Sequence, residues 1–175
     1  MASAVYLITG IQAAGKSTVA QALAERLPRS AHVHGGAFRR FVVNGRAEMT
    51  ADPTSDALDQ LRLRHRLAAA AADGYARAGF TAILQDVVLG EFLPWTIEQI
   101  RTDPLRVVVL APRPEAVAAR EAGRDKNAYG AFTVSALDAV LRDTTPRVGT
   151  WLDTSDLTVD ETVDAILAGA RPVRR

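Results

Sequence analysis

The sequence predicts an α/β fold, a three-layer sandwich in which a five-stranded parallel sheet is covered by helices on both faces. Three observations carry this. Continuous apolar, β-prone runs recur along the chain, clearest at Val5–Thr9 (VYLIT) and Arg106–Ala111 (RVVVLA), and strands buried on both faces read that way. Segments with apolar residues at helical spacing separate those runs. Strands that alternate with helices in this manner are joined by crossovers and run parallel.

Each element follows from local signals. The first strand, Val5–Thr9, stops at Gly10, and Val19, Leu23 and Leu27 mark a helix that Pro28 ends. Ala31–His34 reads as a second strand leading into Gly35 and Gly36, followed by a short helix through Phe38, Phe41 and Val42 that ends at Asn44-Gly45. Asp52-Pro53-Thr54-Ser55 starts a long helix, Asp56 to Ala78, stopped by Gly79. Phe80–Leu84 is the third strand, ending in Gln85-Asp86, and a helix around Leu93–Ile100 precedes the fourth strand at Arg106–Ala111. Pro114 opens a helix to Ala122, GRDKNAYG (123–130) breaks it, and a further helix runs from Thr133 to Arg142. Gly149–Asp153 is the last strand, and Thr158 with Glu161 forms a capping box that launches the final helix to Ala168, ahead of a frayed RPVRR tail. Ligands of such sheets gather at the carboxyl ends of the strands. Gly10, Gly35-Gly36, Gln85-Asp86, Pro112-Arg113 and Asp153-Thr154 should therefore line one rim.

Composition narrows the function. The 175 residues suit one domain, residues 1–175, with one core, and 48% hydrophobic against 23% charged residues is a globular balance. Zero cysteines exclude disulfides, thiolate metal sites and cysteine nucleophiles. A net charge of +1 argues against nucleic acid as a partner. The three histidines, at 32, 34 and 65, do not make a dedicated transition-metal site. The apolar runs are too short to span a bilayer and the residues after Met1 lack a secretory pattern, so the expectation is a cytoplasmic protein with no membrane partner, a monomer or homodimer.

The chemistry is concentrated in GIQAAGKST, Gly10 to Thr18, which fits G-x-x-x-x-G-K-[ST] between a strand and an amphipathic helix. A loop wrapped around a phosphate turns its backbone N–H groups inward, and Gly10 and Gly15 reach the required dihedrals without steric cost. Ala13 and Ala14 complete the cradle, Lys16 bridges the β- and γ-phosphates, Ser17 holds magnesium through its hydroxyl, and Thr18 adds an N–H at the positive end of the helix. The chain lacks an N-K-x-D base-reading motif and a D-x-x-G after the third strand, which sets aside a GTPase.

With these residues in place the chain resembles the small P-loop kinases, a group that includes chloramphenicol phosphotransferase, gluconate kinase and adenylate kinase, and most of all the chloramphenicol phosphotransferase-like proteins. QDVVLG at 85–90 looks like their strand-three ending and AVAAREAGRD at 116–125 like their lid. The resemblance implies a strand order 2-3-1-4-5, ATP with Mg2+ as donor, a small hydroxyl-bearing acceptor, a lid at about 120–131 carrying Arg120 and Arg124 near Lys126, and an acceptor region at about 37–78. It also implies a carboxylate after strand two to take the acceptor proton. Gly36 stands there instead.

That departure leaves three readings: Asp86 or His34 supplies the base, the protein is catalytically impaired, or it is a nucleotide-binding regulator that transfers nothing. Asp86 ends an apolar strand at the rim, where a carboxylate can reach magnesium through water or accept a proton; capping the next turn is the bland alternative. Arg120 and Arg124, four apart, share a helix face suited to transition-state charge. Arg113 either stacks on adenine or is a plain loop arginine. Arg39, Arg40 and Arg62, with His34 and Gly36, are the acceptor-side candidates, and arginines there suit an anionic acceptor or a wet surface. Arg62 and Arg66 share a face while Arg64 points elsewhere, and His65 reads as a satisfied or solvated histidine. The leading expectation is an ATP-dependent O-phosphotransferase acting on an antibiotic, nucleoside or metabolite, with a nucleoside or nucleotide kinase as the alternative enzyme.

Overall fold

In a computed structural model, which describes residues 3–123 and 132–173, the elements alternate as expected. They are β1 (Val5–Thr9), α1 (Lys16–Arg26), β2 (Ser30–His34), α2 (Gly36–Arg40), α3 (Ser55–Arg77), β3 (Thr81–Gln85), α4 (Phe92–Gln99), β4 (Leu105–Leu110), α5 (Pro114–Ala122), α6 (Val134–Ala139), β5 (Thr150–Leu152) and α7 (Val159–Gly169). The sheet is parallel throughout in the order β2-β3-β1-β4-β5. β1 lies at its centre, with Leu7 opposite Leu84 on one side and Val107 on the other. Leu7, Ile8, Ile83, Leu84 and Val107 are fully buried, the consequence of helices on both faces. α1 packs on α7, and α3 packs on α4 and on β2 and β3.

Caps follow the sequence signals. Thr54 accepts a hydrogen bond from the Ala57 amide at the head of α3, and Thr158 and Glu161 close a full capping box on α7. Asp73, buried on the inner face of α3, accepts from the Arg101 and Thr102 amides and the Thr102 hydroxyl at 2.8–3.1 Å, which anchors the loop entering β4.

Two elements differ from the expectation. The helix after β2 ends at Arg40 rather than at Asn44-Gly45, because Gln60 of α3 ties down the following loop: it donates to the Gly45 carbonyl at 2.8 Å and accepts from the Ala47 amide at 2.9 Å. The helix expected over 133–142 becomes α6 and then one wide π turn, Val140–Thr144. There the Thr145 amide reaches back to the Val140 carbonyl, and its hydroxyl accepts from the Gly90 amide at 2.8 Å. The extra residue in the turn is what lets Thr145 meet the loop after β3. Among the described residues, no helix is long and apolar enough to cross a membrane.

His65 is 1% exposed on α3, hydrogen-bonded through Nδ1 to the Thr96 hydroxyl at 3.3 Å and edge-on to Phe92. Burial is the largest influence on it and pushes its pKa down to about 4, with Asp86 pulling it up and Arg64 down. The folded state thus binds a proton more weakly than the unfolded chain, whose histidine titrates near 6.5. Stability should rise with pH across about 4 to 6.5 and fall by up to roughly 3 kcal/mol as pH drops through that window. Denaturant midpoints measured from pH 4 to 7 test this, and His65→Gln should flatten the slope in that range; an unchanged slope would refute the assignment.

Candidate functional site

The phosphate-loop segment rises from the centre of the sheet. Thr9, the last residue of β1, is buried and bonded twice to Val88, its hydroxyl donating to the carbonyl and accepting from the amide, both at 2.9 Å. Gly10 follows so close to β4 that a Cβ there would sit 2.6 Å from the Leu110 carbonyl oxygen. No side chain fits. The loop then passes through the left-handed region at Ala13 (φ 59°) and Gly15 (φ 93°) before α1 begins at Lys16. A left-handed alanine is unfavourable in isolation and is held here by the turn around it, in which the Ala14 amide bonds the Ile11 carbonyl. Successive amides in such a turn form an anion-binding concavity, reinforced by the N-terminus of α1.

Lys16 is only 8% exposed, and its Nζ donates to the Ile11 carbonyl at 2.7 Å, so the ammonium lies across the loop. Ser17 and Thr18 are exposed on the first turn of α1. A hydroxyl beside that ammonium fits Mg2+ carried in on phosphates, since this ion takes few protein oxygens and keeps several waters. Among the described residues no group of three or more histidines and acids is placed to hold a metal by itself.

Of the expected lid, residues 120–123 are described; Arg124, Lys126 and the rest of that segment to residue 131 lie outside the described residues. Arg120 donates to the Thr154 carbonyl at 2.8 Å and approaches the Ala14 carbonyl at 3.4 Å, bridging the loop to the end of β5. Between them lies a cavity of about 240 Å³ lined by Ala13, Gly15, Thr18, Arg120, Thr154 and Leu157. Arg113 does not reach it. Its guanidinium is paired with Asp156 at 2.9 Å and lies 3.6 Å from Asp153, on the exposed surface beyond the end of β5.

On the other side, Asp86 follows the last residue of β3 and is buried, at 4% exposure. Both carboxylate oxygens are bound by Arg64 of α3, through Nε at 2.7 Å and through Nη2, and Oδ1 also accepts from the Val87 amide. His65 Nε2 stands 3.9 Å away. Gly35 is required above this pair, since a Cβ there would meet Asp86 Oδ2 at 2.3 Å. Three of the carboxylate's acceptor positions are thus taken within the protein. A Cβ at Gly36 would stand 4.0 Å from Arg64 Nη2 and 2.9 Å from the ring of His34.

A second cavity, about 640 Å³, opens between α2, the loop 41–54 and α3. Of the acceptor-side candidates only Arg39 lines it. His34 is exposed on the edge strand, Arg40 is exposed, and Arg62 pairs with Asp59 and covers the Phe92 ring; none of them faces the cavity. Arg64, which does not share the face of Arg62 and Arg66, lines it together with Arg39. The signal was present: Ala57, Leu61, Arg64 and Ala68 follow one another at spacings of four, three and four along a single face of α3.

With this geometry the comparisons can be read. A family model described as an AAA domain matches residues 7–138. No curated protein matches. Among solved structures, an unliganded sugar kinase from Janibacter sp. HTCC2649 superposes with a TM-score of 0.70 at 17% identity, covering 95% of this chain and 93% of its own. The APS kinase CysC of Mycobacterium tuberculosis, in complex with AMPPNP and APS, gives 0.68 at 17% identity, covering 95% and 96%. A gluconokinase from Sinorhizobium meliloti 1021 gives 0.60 at 20% identity, covering 96% and 91%. These identities carry the fold alone. With the family match spanning most of the sequence and the strand order that of the small P-loop kinases, the chain belongs to the AAA domain family as a kinase-like P-loop protein.

Proposed function

We propose that the protein is an ATP-dependent O-phosphotransferase that moves the γ-phosphate to a hydroxyl of a small molecule. The observation that carries this is the placement of two cavities about the phosphate loop, one beside Thr18 and Arg120 and one reached by Gln12 and lined by Arg64. A nucleotide in the first and an acceptor in the second would meet at Lys16. Kinases among the structural neighbours, the sugar kinase and the gluconokinase included, support the same reading.

In the proposed reaction the acceptor oxygen attacks the γ-phosphorus, the bond from that phosphorus to the bridging oxygen breaks, ADP leaves, and the acceptor proton passes to a carboxylate or to water. Lys16 would give up its contact with the Ile11 carbonyl to bind the β- and γ-oxygens, while the loop amides hold the rest of the chain of phosphates. Ser17 would hold Mg2+, which when bound neutralises phosphate charge. Arg120 closes the nucleotide side through the two carbonyls it already bridges. Asp86 stands behind the cavity wall, held by Arg64, and Glu48 lines the cavity itself. Glycine at 36 favours a second reading, a nucleotide-binding regulator without transfer.

Two substitutions separate these readings. Lys16→Ala should weaken Mg·ATP binding by at least about tenfold in calorimetry and reduce transfer by about a hundredfold or more; wild-type values in this variant would defeat the phosphate-loop assignment. Gly36→Asp would put a carboxylate beside Arg64 at the cost of moving the exposed His34 ring. ATP turnover should rise at least about tenfold, within the range of general-base effects. Unchanged turnover would exclude position 36 as the place of the base.

A further inference from the structure

We infer that Gln85, the last residue of β3, recognises the third phosphate of the nucleotide: its side-chain N–H donates to a γ-phosphoryl oxygen and adds affinity for a nucleoside triphosphate that the diphosphate lacks. This rests on the phosphate-loop reading of Lys16 and its neighbours. Gln85 is 2% exposed, and among the described residues its Nε2 is buried without a hydrogen-bond partner. An unpaired buried donor costs free energy that an apolar side chain of the same shape would not. Packing alone does not account for an amide here.

Its place in the fold points to the acceptor. Successive strand residues face opposite sides of a sheet. Asp86 turns to α3, where Arg64 holds it, so Gln85 faces the layer of α1. His32 of β2 marks that layer, hydrogen-bonded to Gln21 of α1 at 2.9 Å, and His34, on the same side of β2, is the ladder partner of Gln85. From Gln21 to Ser17 is about 6 Å toward the rim, one helical turn. From His32 to His34 is about 6.6 Å in the same direction. Gln85 thus lies level with Ser17 at the head of α1, and its other ladder partner is Ile8, just before the loop.

The nucleotide-side cavity lies at the opposite edge of β1, lined by Arg120, Thr154 and Leu157. A nucleotide seated there runs its phosphates across the loop from the β5 side toward β3, and the last phosphate comes nearest Gln85. An amide suits that position, since a carboxylate would repel the phosphate and a buried cation would need a counter-charge before any nucleotide arrived. The ladder also holds the donor in place. The Gln85 carbonyl accepts from the Gly35 amide at 2.9 Å and the next amide, of Asp86, donates to the Ile8 carbonyl at 3.2 Å, so both neighbouring strands fix the residue before binding.

Calorimetry on the full chain with Mg·AMPPNP and Mg·ADP tests this without turnover. Gln85→Met keeps length and volume and removes both polar atoms. Affinity for Mg·AMPPNP should fall at least about tenfold, as for a lost hydrogen bond to a charged group, while affinity for Mg·ADP stays within about twofold. The melting temperature of the nucleotide-free variant should hold or rise, because a merely structural amide would lower it when removed. Equal losses for the two nucleotides, or no loss for either, would overturn the inference. Gln85→Glu keeps the shape and replaces the donor by an acceptor, and should weaken Mg·AMPPNP at least as much; tighter binding would mean that the metal and not a phosphate oxygen meets residue 85, and would also overturn it. A wild-type chain that binds neither nucleotide would defeat the phosphate-loop reading itself, and this inference with it.

Discussion

The close approach of β1 to both of its neighbours is the constraint on which the rest depends. Because β1 is hydrogen-bonded between β3 and β4, its end is fixed from two sides, by the paired bonds of Thr9 to Val88 and by the contact of Gly10 with the Leu110 carbonyl. The chain leaving that point has one short, over-determined route into α1. That is why an alanine can be kept at φ 59°, and why the loop amides are already turned before any anion arrives. Preorganisation of this kind matters for phosphate chemistry, since donors that need not reorganise stabilise charge more effectively. The site is thus a consequence of sheet order, delivered through two residues.

The Arg64–Asp86 pair plays a comparable role on the other side. Buried ion pairs of this sort are a weak source of stability, because desolvation offsets most of the attraction, but removing one partner strands the other and costs about 3–5 kcal/mol. What the pair does supply is position. It crosses from α3 to the end of β3, and the missing Cβ of Gly35 is what gives it room. It also sets the electrostatics of its surroundings: His65, 3.9 Å from the carboxylate and buried, stays easily deprotonated because burial outweighs the pull of Asp86. Gly36 adjoins the same arrangement: a Cβ there would stand 4.0 Å from Arg64 Nη2 but only 2.9 Å from the His34 ring.

How far the sequence was legible follows from the range of the forces involved. The five strands, their alternation with helices, the long α3 and the caps at Thr54 and Thr158 are written in local patterns, and they appear at nearly the expected residues. The strand order came from the resemblance, since periodicity says nothing about which strands are neighbours, and it stands. What local patterns missed were partnerships made across the fold. Asp86 was legible as a strand-end acid able to cap the next turn, and the Val87 amide does bind it, but nothing near it in sequence announces Arg64, 22 residues earlier on another element. The pairing of Arg113 with Asp156, 43 residues on and beyond the end of β5, is of the same long-range kind. The π turn after α6 depends on Thr145 meeting Gly90, 55 residues away. Arg64 itself was within reach of sequence reasoning. Grouping it with the other arginines obscured its alignment with Ala57, Leu61 and Ala68.

Gly36 and the apolar cavity bear on each other. Phosphoryl transfer through a loose transition state leaves little negative charge to be generated on the attacking oxygen, so a general base adds rate without being indispensable, whereas misplacing the two oxygens is costly. Under the proposed transfer, a chain without a carboxylate at position 36 would rely more on holding its acceptor still. An apolar wall anchored on a long helix, with a loop pinned by Gln60 and an arginine fixed by Asp86, supplies such restraint without adding a charge that water or buffer anions could satisfy. Apolar walls beside the transferring group would also strengthen the electrostatic action of Lys16 and the loop amides on it. Glycine at 36 and the apolar lining are in that sense compatible features of the proposed site: what the first withholds in proton transfer, the second can return in orientation.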